Sequence, residues 1–381
     1  MSTPERVDVV VVGGGAMGLA AAWRIAARGR DVHLLERYAP GHAHGASHGA
    51  TRNFNEAYDE DDYLALVRTA RTLWDRLADE TGTVLLDPVG LVNAGPRDRL
   101  EAIRAAGQRY GVASAWVAPE AAAERWPGLR LPGTLLHVPG SGRVRAADAL
   151  AALATAVQAH GAHLSWGTSV RQLRVLADDE VLVVTDTGTL RARTAVVAAG
   201  AWTADLLGGL VTLPRLVVTQ EQPAHFPLRD PSADPVAERA AWPSLNHWPD
   251  PAAGTDLPAP VYGMLTPGEG LKVGLHGTGP VVDPDRRPPV DPGRLAALQE
   301  HVRRWFPGLD ADRPAPISCT YTSTPTEDFV LERVGPLVVA AGFSGHGFKF
   351  VPAVGETLAS LVDGVPAPRR FSPGLARRPR G

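Results

Sequence analysis

Residues Val9–Gly18 read VVVVGGGAMG, four β-branched residues that break into glycine close to the N-terminus. An unbroken valine run suits a strand buried on both faces of a parallel sheet, and the glycines turn it into a helix. In the spacing Gly13-x-Gly15-x-x-Gly18 the first glycine permits the tight turn. The second lets backbone approach a pyrophosphate, and the third lets helix and strand pack closely. Ala16 and Met17 open that helix, whose free N–H groups and positive dipole end suit phosphate. The helix pattern covers Ala16–Arg28 and stops at Gly29, and a second strand, Asp31–Glu36, ends in an acid. Glu36 follows Gly13 by 23 residues, where a carboxylate takes ribose hydroxyls. The stretch predicts a dinucleotide site; the alternative is a glycine-rich loop in an unrelated α/β domain.

A chain of 381 residues can form one large domain or two interleaved ones with a substantial core. Its 44% apolar and 21% charged residues describe an ordinary globular protein. A net charge of −3 recommends neither nucleic acid nor an anionic membrane as partner. No stretch approaches the ~20 apolar residues that span a bilayer. Polar residues 1–7 lead straight into the first strand, so no signal peptide is expected. The single cysteine rules out an internal disulfide or a cysteine-based metal cluster and argues for a reducing compartment. A cytoplasmic, metal-free protein is expected.

Two later segments repeat the strand–glycine signature: Val181–Val184, Thr189–Arg191 and Ala195–Gly200, then Leu337–Gly342 with a helical pattern over Ala353–Val362. Further helices are expected at Asp62–Thr81, Arg97–Tyr110, Ala146–His160 and Pro292–Trp305. Residues 223–292 hold 15 of the 34 prolines, which suits loops joining antiparallel strands. The class is therefore α/β, with one domain stitched from three pieces and a second inserted in two. A nicotinamide domain usually supplies one glycine turn to its cofactor. Here Gly200-Ala201-Trp202 and the run Gly342–Gly347 both follow apolar strands with small residues. Backbone lying against a large planar cofactor wants small residues, so FAD fits better than NAD; two turns without a ligand are the alternative.

Four stretches together resemble monomeric sarcosine oxidase and its relatives among the D-amino-acid-oxidase-like flavoproteins. They are the fingerprint above, Ser47–Arg52 (SHGATR), Gly270–His276 (GLKVGLH), and Cys319-Thr320-Tyr321 with Gly342–Phe350 (GFSGHGFKF). The resemblance spans residues 9 to about 365. It implies a Rossmann-like FAD-binding domain of the glutathione-reductase type, made of residues 1–84, 143–213 and 323–370. It also implies an antiparallel-sheet substrate domain from 85–142 and 214–322, and a flexible tail, 371–381. The implied activity is oxidation of the C–N bond of a secondary or cyclic amine by FAD. The products are an imine and, from O2, hydrogen peroxide. A monomer is the default.

Residue by residue, the resemblance makes Cys319 the covalent attachment point of the flavin, where a lone cysteine alone would read as a small buried hydrophobe. It makes Lys272 the lysine that promotes the oxygen half-reaction, where a lysine between Leu271 and Val273 would otherwise be an edge-strand charge. His276, four residues on along a strand, shares that face as a polar cavity group or a proton acceptor. Tyr262 and Tyr321 match aromatic groups near the substrate, and core packing suits them equally. Arg37, Ser47, His48, Thr51, Arg52, Gly200, Trp202, Gly342, Gly345, His346, Gly347 and Phe348 match flavin-contacting positions.

Lys349 matches the lysine that binds the substrate carboxylate, beside the flavin. Its usual arginine partner, three residues after Arg52, is here Asn55. Sarcosine is therefore doubtful as substrate. His225, Trp242, His247 and Trp248 in the proline-rich segment are candidates for a different pocket wall, or for packing. A dehydrogenase with a non-oxygen acceptor, and a flavin-holding protein without turnover, remain alternatives.

Overall fold

The computed structural model describes residues 5–255 and 257–378. Among these, Val9, Val10, Val11 and Val12 are at most 5% exposed, in the strand Glu5–Val12. Val9 and Val11 face a layer of helices, whereas Val10 and Val12 pack on the opposite side. That two-sided burial is what an unbroken valine run makes possible. Five parallel strands follow the order His163–Trp166, Val32–Glu36, Glu5–Val12, Thr189–Val197, Leu337–Ala341. Antiparallel partners extend the sheet: Val170–Ala177 and Glu180–Thr185 on one arm, Val330–Val334 on the other.

Helices Ala16–Ala26, Asp61–Thr81, Ala146–Ala159 and Val351–Val362 cover one face with a core built around Trp23, Trp74 and Leu358. Gly355 makes the closest of these packings possible, since a Cβ there would lie 2.5 Å from the Ala20 carbonyl oxygen. Gly18 does the same between helix and turn: its Cβ would fall 1.8 Å from the Gly13 oxygen. Gly13 itself has φ +104°, a conformation open to glycine.

A second sheet runs Ala315–Pro316, Ala224–Phe226, Gly270–Leu275, Val261–Thr266, Ser244–His247, Leu91–Ala94, Leu135–Val138, Ala115–Val117. Its pairings are antiparallel except where Ser244–His247 lies parallel to Leu91–Ala94. Between the sheets, Thr51–Phe54, Leu86–Asp87 and Gly142–Arg145 form a small third one. Arg143, 1% exposed, pairs with Asp87 and donates 2.7 Å to the Leu265 carbonyl, tying this small sheet to the second. No helix among the described residues is long and apolar enough to cross a membrane.

Several expectations need correcting. Thr189–Arg191 and Ala195–Gly200 are one strand, Thr189–Val197, because exposed or half-buried Thr189, Arg191 and Arg193 alternate with buried Leu190, Ala192 and Thr194. The first helix ends at Ala26, and the last begins at Val351 with a proline in its first turn, where no N–H partner is lost. Residues 371–378 of the expected tail are tied down. Phe371 is fully buried, Ala376–Arg377 pairs with Val211–Thr212, and the Gly374 and Leu375 N–H groups each donate 2.9 Å to Glu332. The rest of that tail, 379–381, lies outside the described residues.

The tight crossing at Gly355 predicts that Gly355→Ala, with backbone in the way of the new methyl, destabilises the protein by about 1–3 kcal/mol. Gly188→Ala has nothing within 4 Å and should stay within about 0.5 kcal/mol of the parent. The urea midpoint at unchanged m value measures both, and equal midpoints would refute the packing argument.

Candidate active site

A cavity of about 1130 Å³ runs from the Gly13–Gly18 turn past Glu36 to Lys349, and the two large sheets both contribute to its walls. Of the cofactor, catalytic and substrate candidates singled out above, leaving aside the four in the proline-rich segment, all but Gly18 and Thr51 line it. Gly18 serves the strand–helix contact already described. Thr51 stands behind the wall: its carbonyl accepts 2.6 Å from Lys272 Nζ, and its hydroxyl shares a 2.7 Å hydrogen bond with that of Thr266. Among His225, Trp242, His247 and Trp248, Trp248 alone lines the cavity. Trp242 packs in the core of the second sheet, beneath Gly128 and Gly308.

At the glycine turn, Glu36 accepts from Gly14 N at 2.6 Å and from Tyr38 N at 2.9 Å. Two backbone donors fix its carboxylate at the rim with acceptor capacity left for hydroxyls. Ala16 N donates 3.0 Å to Ser47 Oγ, which brings the 47–52 segment over the helix start. A Cβ on Gly15 would meet only that Ser47 oxygen, so the protein itself hardly restricts the space there. Arg37 lies over the rings of Tyr38 and Trp202. Four buried polar atoms of lining residues, His48 Nε2, Asn53 Oδ1, Trp202 Nε1 and Arg370 Nε, have no hydrogen-bond partner among the described residues. Unpartnered buried polar atoms beside an open cavity are what a polar ligand would satisfy. A bound dinucleotide fits this wall: glycine backbone and a helix start for its phosphates, Glu36 for its ribose.

Deeper in, the walls carry buried and half-buried ionisable groups. Lys272 is 4% exposed, and burial, then the Arg52 charge, push its ammonium well below the ordinary lysine range. Arg52 is held in turn by the carbonyls of Ala46, His48 and Thr51, with its guanidinium 5.5 Å from the centre of the Phe348 ring. His276 Nδ1 lies 3.4 Å from the Tyr321 hydroxyl. Burial and the Lys349 charge bring that histidine down to about 4. His48 is brought to about 4 as well, by burial first and Arg52 second. Burial raises the Tyr262 and Tyr321 hydroxyls above the ordinary tyrosine range. Cys319 is half-buried on the same wall.

The Gly342–Phe350 segment is shaped by close contacts. A Cβ on Gly345 would lie 2.1 Å from a Tyr321 ring carbon, and one on Gly347 would meet Phe343 and Met17. Ser344 holds φ +47° and Glu327 φ +62°, each a strain on the order of 1–3 kcal/mol for a non-glycine residue. Ser344 is held there by Ser344 N to the Thr322 oxygen and by its hydroxyl to the Gly342 oxygen, both 3.0 Å. Lys349 is 5% exposed; its Nζ donates 2.7 Å to the His346 carbonyl and 2.8 Å to the Tyr58 hydroxyl. Burial brings its ammonium down to about 7. Asn55 Oδ1 accepts 2.7 Å from Ala57 N, so its carbonyl end is used within the turn.

Tyr58 and Trp74 were not singled out in the sequence, although Trp74 Nε1 donates 2.9 Å to the Lys349 carbonyl. A tyrosine three residues after Asn55 carries no spacing signal of its own. The buried, apolar stripe of the helix Asp61–Thr81 hid Trp74 among core residues.

Comparison with known proteins agrees with this geometry. The sequence pattern of the FAD dependent oxidoreductase family matches residues 8–361. Monomeric sarcosine oxidase of Bacillus sp. (strain NS-129) is 31% identical over 371 residues, covering 93% of this chain and 92% of that protein. N-methyl-L-tryptophan oxidase of Yersinia pestis (strain Pestoides F) is 31% identical over 376 residues, covering 95% and 96%. The open form of NikD, an unusual amino acid oxidase essential for nikkomycin biosynthesis, superposes with a TM-score of 0.82 at 29% identity, covering 97% of both chains. The chain belongs to the family of FAD-dependent oxidoreductases.

Proposed function

We propose that the chain oxidises the C–N bond of a secondary or cyclic, amino-acid-like amine and passes the electrons to O2. FAD, when bound, would supply the two-electron redox chemistry at the carbon next to nitrogen, and the resulting imine would hydrolyse in water. The observation that carries the reading is Lys272, a buried lysine whose Nζ is bonded to one backbone carbonyl on the cavity wall. A cation there stabilises negative charge developing on oxygen far better than one in water would. It favours an oxidase over a dehydrogenase. The named relatives support the amine: sarcosine and N-methyl-L-tryptophan are both secondary amines.

The chain's own residues divide the remaining work. Glu36, Ser47 and the glycine turn would hold the dinucleotide, and Cys319 would tether it through sulfur. His276, neutral at working pH, and the Tyr262 and Tyr321 hydroxyls would line the substrate side. Lys349 would meet the substrate's acceptor group, with Asn55 offering an amide where the family carries a second cation. An Arg–carboxylate pair in a desolvated pocket is worth roughly 2–5 kcal/mol, so losing it disfavours sarcosine. The substrate is a larger acid, or an amide or ester. Segments 1–84, 143–213 and 323–370 would form the FAD-binding domain, since they supply every strand of the parallel-centred sheet. Segments 85–142 and 214–322, which supply the second sheet, would form the substrate domain.

Anaerobic mixing with sarcosine, N-methyltryptophan, proline and pipecolate, each beside its amide, tests the reading by bleaching of the flavin absorbance. At least one amine should bleach it, and air should then release hydrogen peroxide; no bleaching with any amine would leave a flavin-holding protein. Lys272→Met should slow reoxidation on the order of 10²–10³-fold and reduction far less, whereas equal slowing of both would assign Lys272 a structural role. After acid precipitation the parent pellet should stay yellow and the Cys319→Ser pellet should be colourless. A colourless parent pellet would end the covalent attachment.

A further inference from the structure

The hydrogen bonds around Lys349 leave one consistent arrangement of protons. His346 Nε2 lies 3.2 Å from the Glu327 carbonyl oxygen, which can only accept, so Nε2 carries the proton. Burial and the Lys349 charge bring His346 down to about 3, so the ring is neutral and Nδ1 accepts. Nδ1 lies 3.2 Å from the Tyr58 hydroxyl, which must therefore donate to it. That turns a Tyr58 lone pair to Lys349 Nζ, which donates at 2.8 Å and gives a second N–H to the His346 carbonyl at 2.7 Å. An ammonium has a third N–H left. A neutral amine has none and keeps only a lone pair.

We propose that Tyr58 is a positioning residue: its hydroxyl, oriented by His346, holds the Lys349 ammonium so that a single N–H is left for the acceptor group of a ligand in the cavity. The inference rests on the reading that Lys349 meets the substrate. It makes that contact a switch, because loss of one proton converts the lysine from donor to acceptor without moving it. The strained Glu327 backbone supplies the carbonyl that fixes the histidine tautomer, and the ring of Tyr63 stacks on Tyr58 at 5.3 Å. The other titratable groups facing this cluster are His276, Tyr63 and Glu60, with Asp328 and Arg370, paired with each other, against Tyr63. His276 is neutral above about 4. Burial raises the Tyr63 hydroxyl, and burial together with Asp59 raises the Glu60 carboxyl.

The test is equilibrium binding of cyclopentanecarboxylate, which has no amine to oxidise, to the flavin-loaded protein. The perturbation of the flavin spectrum is followed from pH 5 to 9. Binding to the parent should weaken as pH rises through about 7, where the Lys349 ammonium is lost. Removing an acceptor from a cation favours its neutral form, so Tyr58→Phe should move that midpoint down by about one unit. His346→Leu should move it in the same direction. His346→Asn, which keeps an acceptor at the Nδ1 position, should leave it near the parent value. Tyr58→Phe that weakens binding by one factor at every pH, with the midpoint unmoved, would overturn the proposal. So would a parent whose affinity for cyclopentanecarboxylate does not fall between pH 5 and 9. The readout needs no turnover: an unreactive parent that keeps the shifted midpoints would refute the oxidase and leave the relay standing.

Discussion

The cavity exists where it does because Thr51 is bonded twice to the far sheet, its carbonyl to Lys272 Nζ and its hydroxyl to Thr266. These bonds hold the small Thr51–Phe54 strand against the turn between Val261–Thr266 and Gly270–Leu275. On one side of that strand, Ser47 reaches the helix start at Ala16. On the other, Tyr58 reaches Lys349 and His346. One short strand therefore sets the distance between the nucleotide end of the cavity and its lysine-lined end. Small clusters of buried polar bonds define such positions sharply because each broken bond leaves an unpaired group in a dry wall.

Burial is the common electrostatic theme. It lowers the affinity for protons of Lys272, Lys349, His48, His276 and His346 alike, and raises that of the tyrosine hydroxyls. Lys272 and Lys349 therefore hold their protons less tightly than exposed lysines do. A bound anion beside them favours their charged forms. The neutral histidines keep one donor and one acceptor each, so their partners decide their tautomers.

Much of the fold was legible because its constraints are local. The valine run, the glycine turn and the acid at Glu36 each follow from one strand–turn–helix–strand unit, and the structure keeps that unit. The glycines at 345 and 347 were expected to lie against a planar cofactor; what the sequence did not signal is that Tyr321 and Phe343 also leave no room there for a side chain. Long-range pairings were not legible. Nothing in residues 371–378 signals that Glu332 and Val211–Thr212 would capture them. The aromatic residues of the proline-rich stretch look alike in sequence, and only the crossing of chains at Gly128 and Gly308 sends Trp242 inward while Trp248 lines the cavity. Tyr58 was hidden because its partners lie 288 and 291 residues away.

The Asn55 turn has a bearing on how such a cavity can change over time. Its side-chain bond to Ala57 N, together with Tyr58 N to the Glu56 carbonyl at 3.1 Å, sets the chain path that delivers Tyr58 to Lys349. An arginine at position 55 would bring a second cation and remove that bond in one step. A change at position 55 therefore alters the charge of the cavity wall and the support of Tyr58, the partner of Lys349, together.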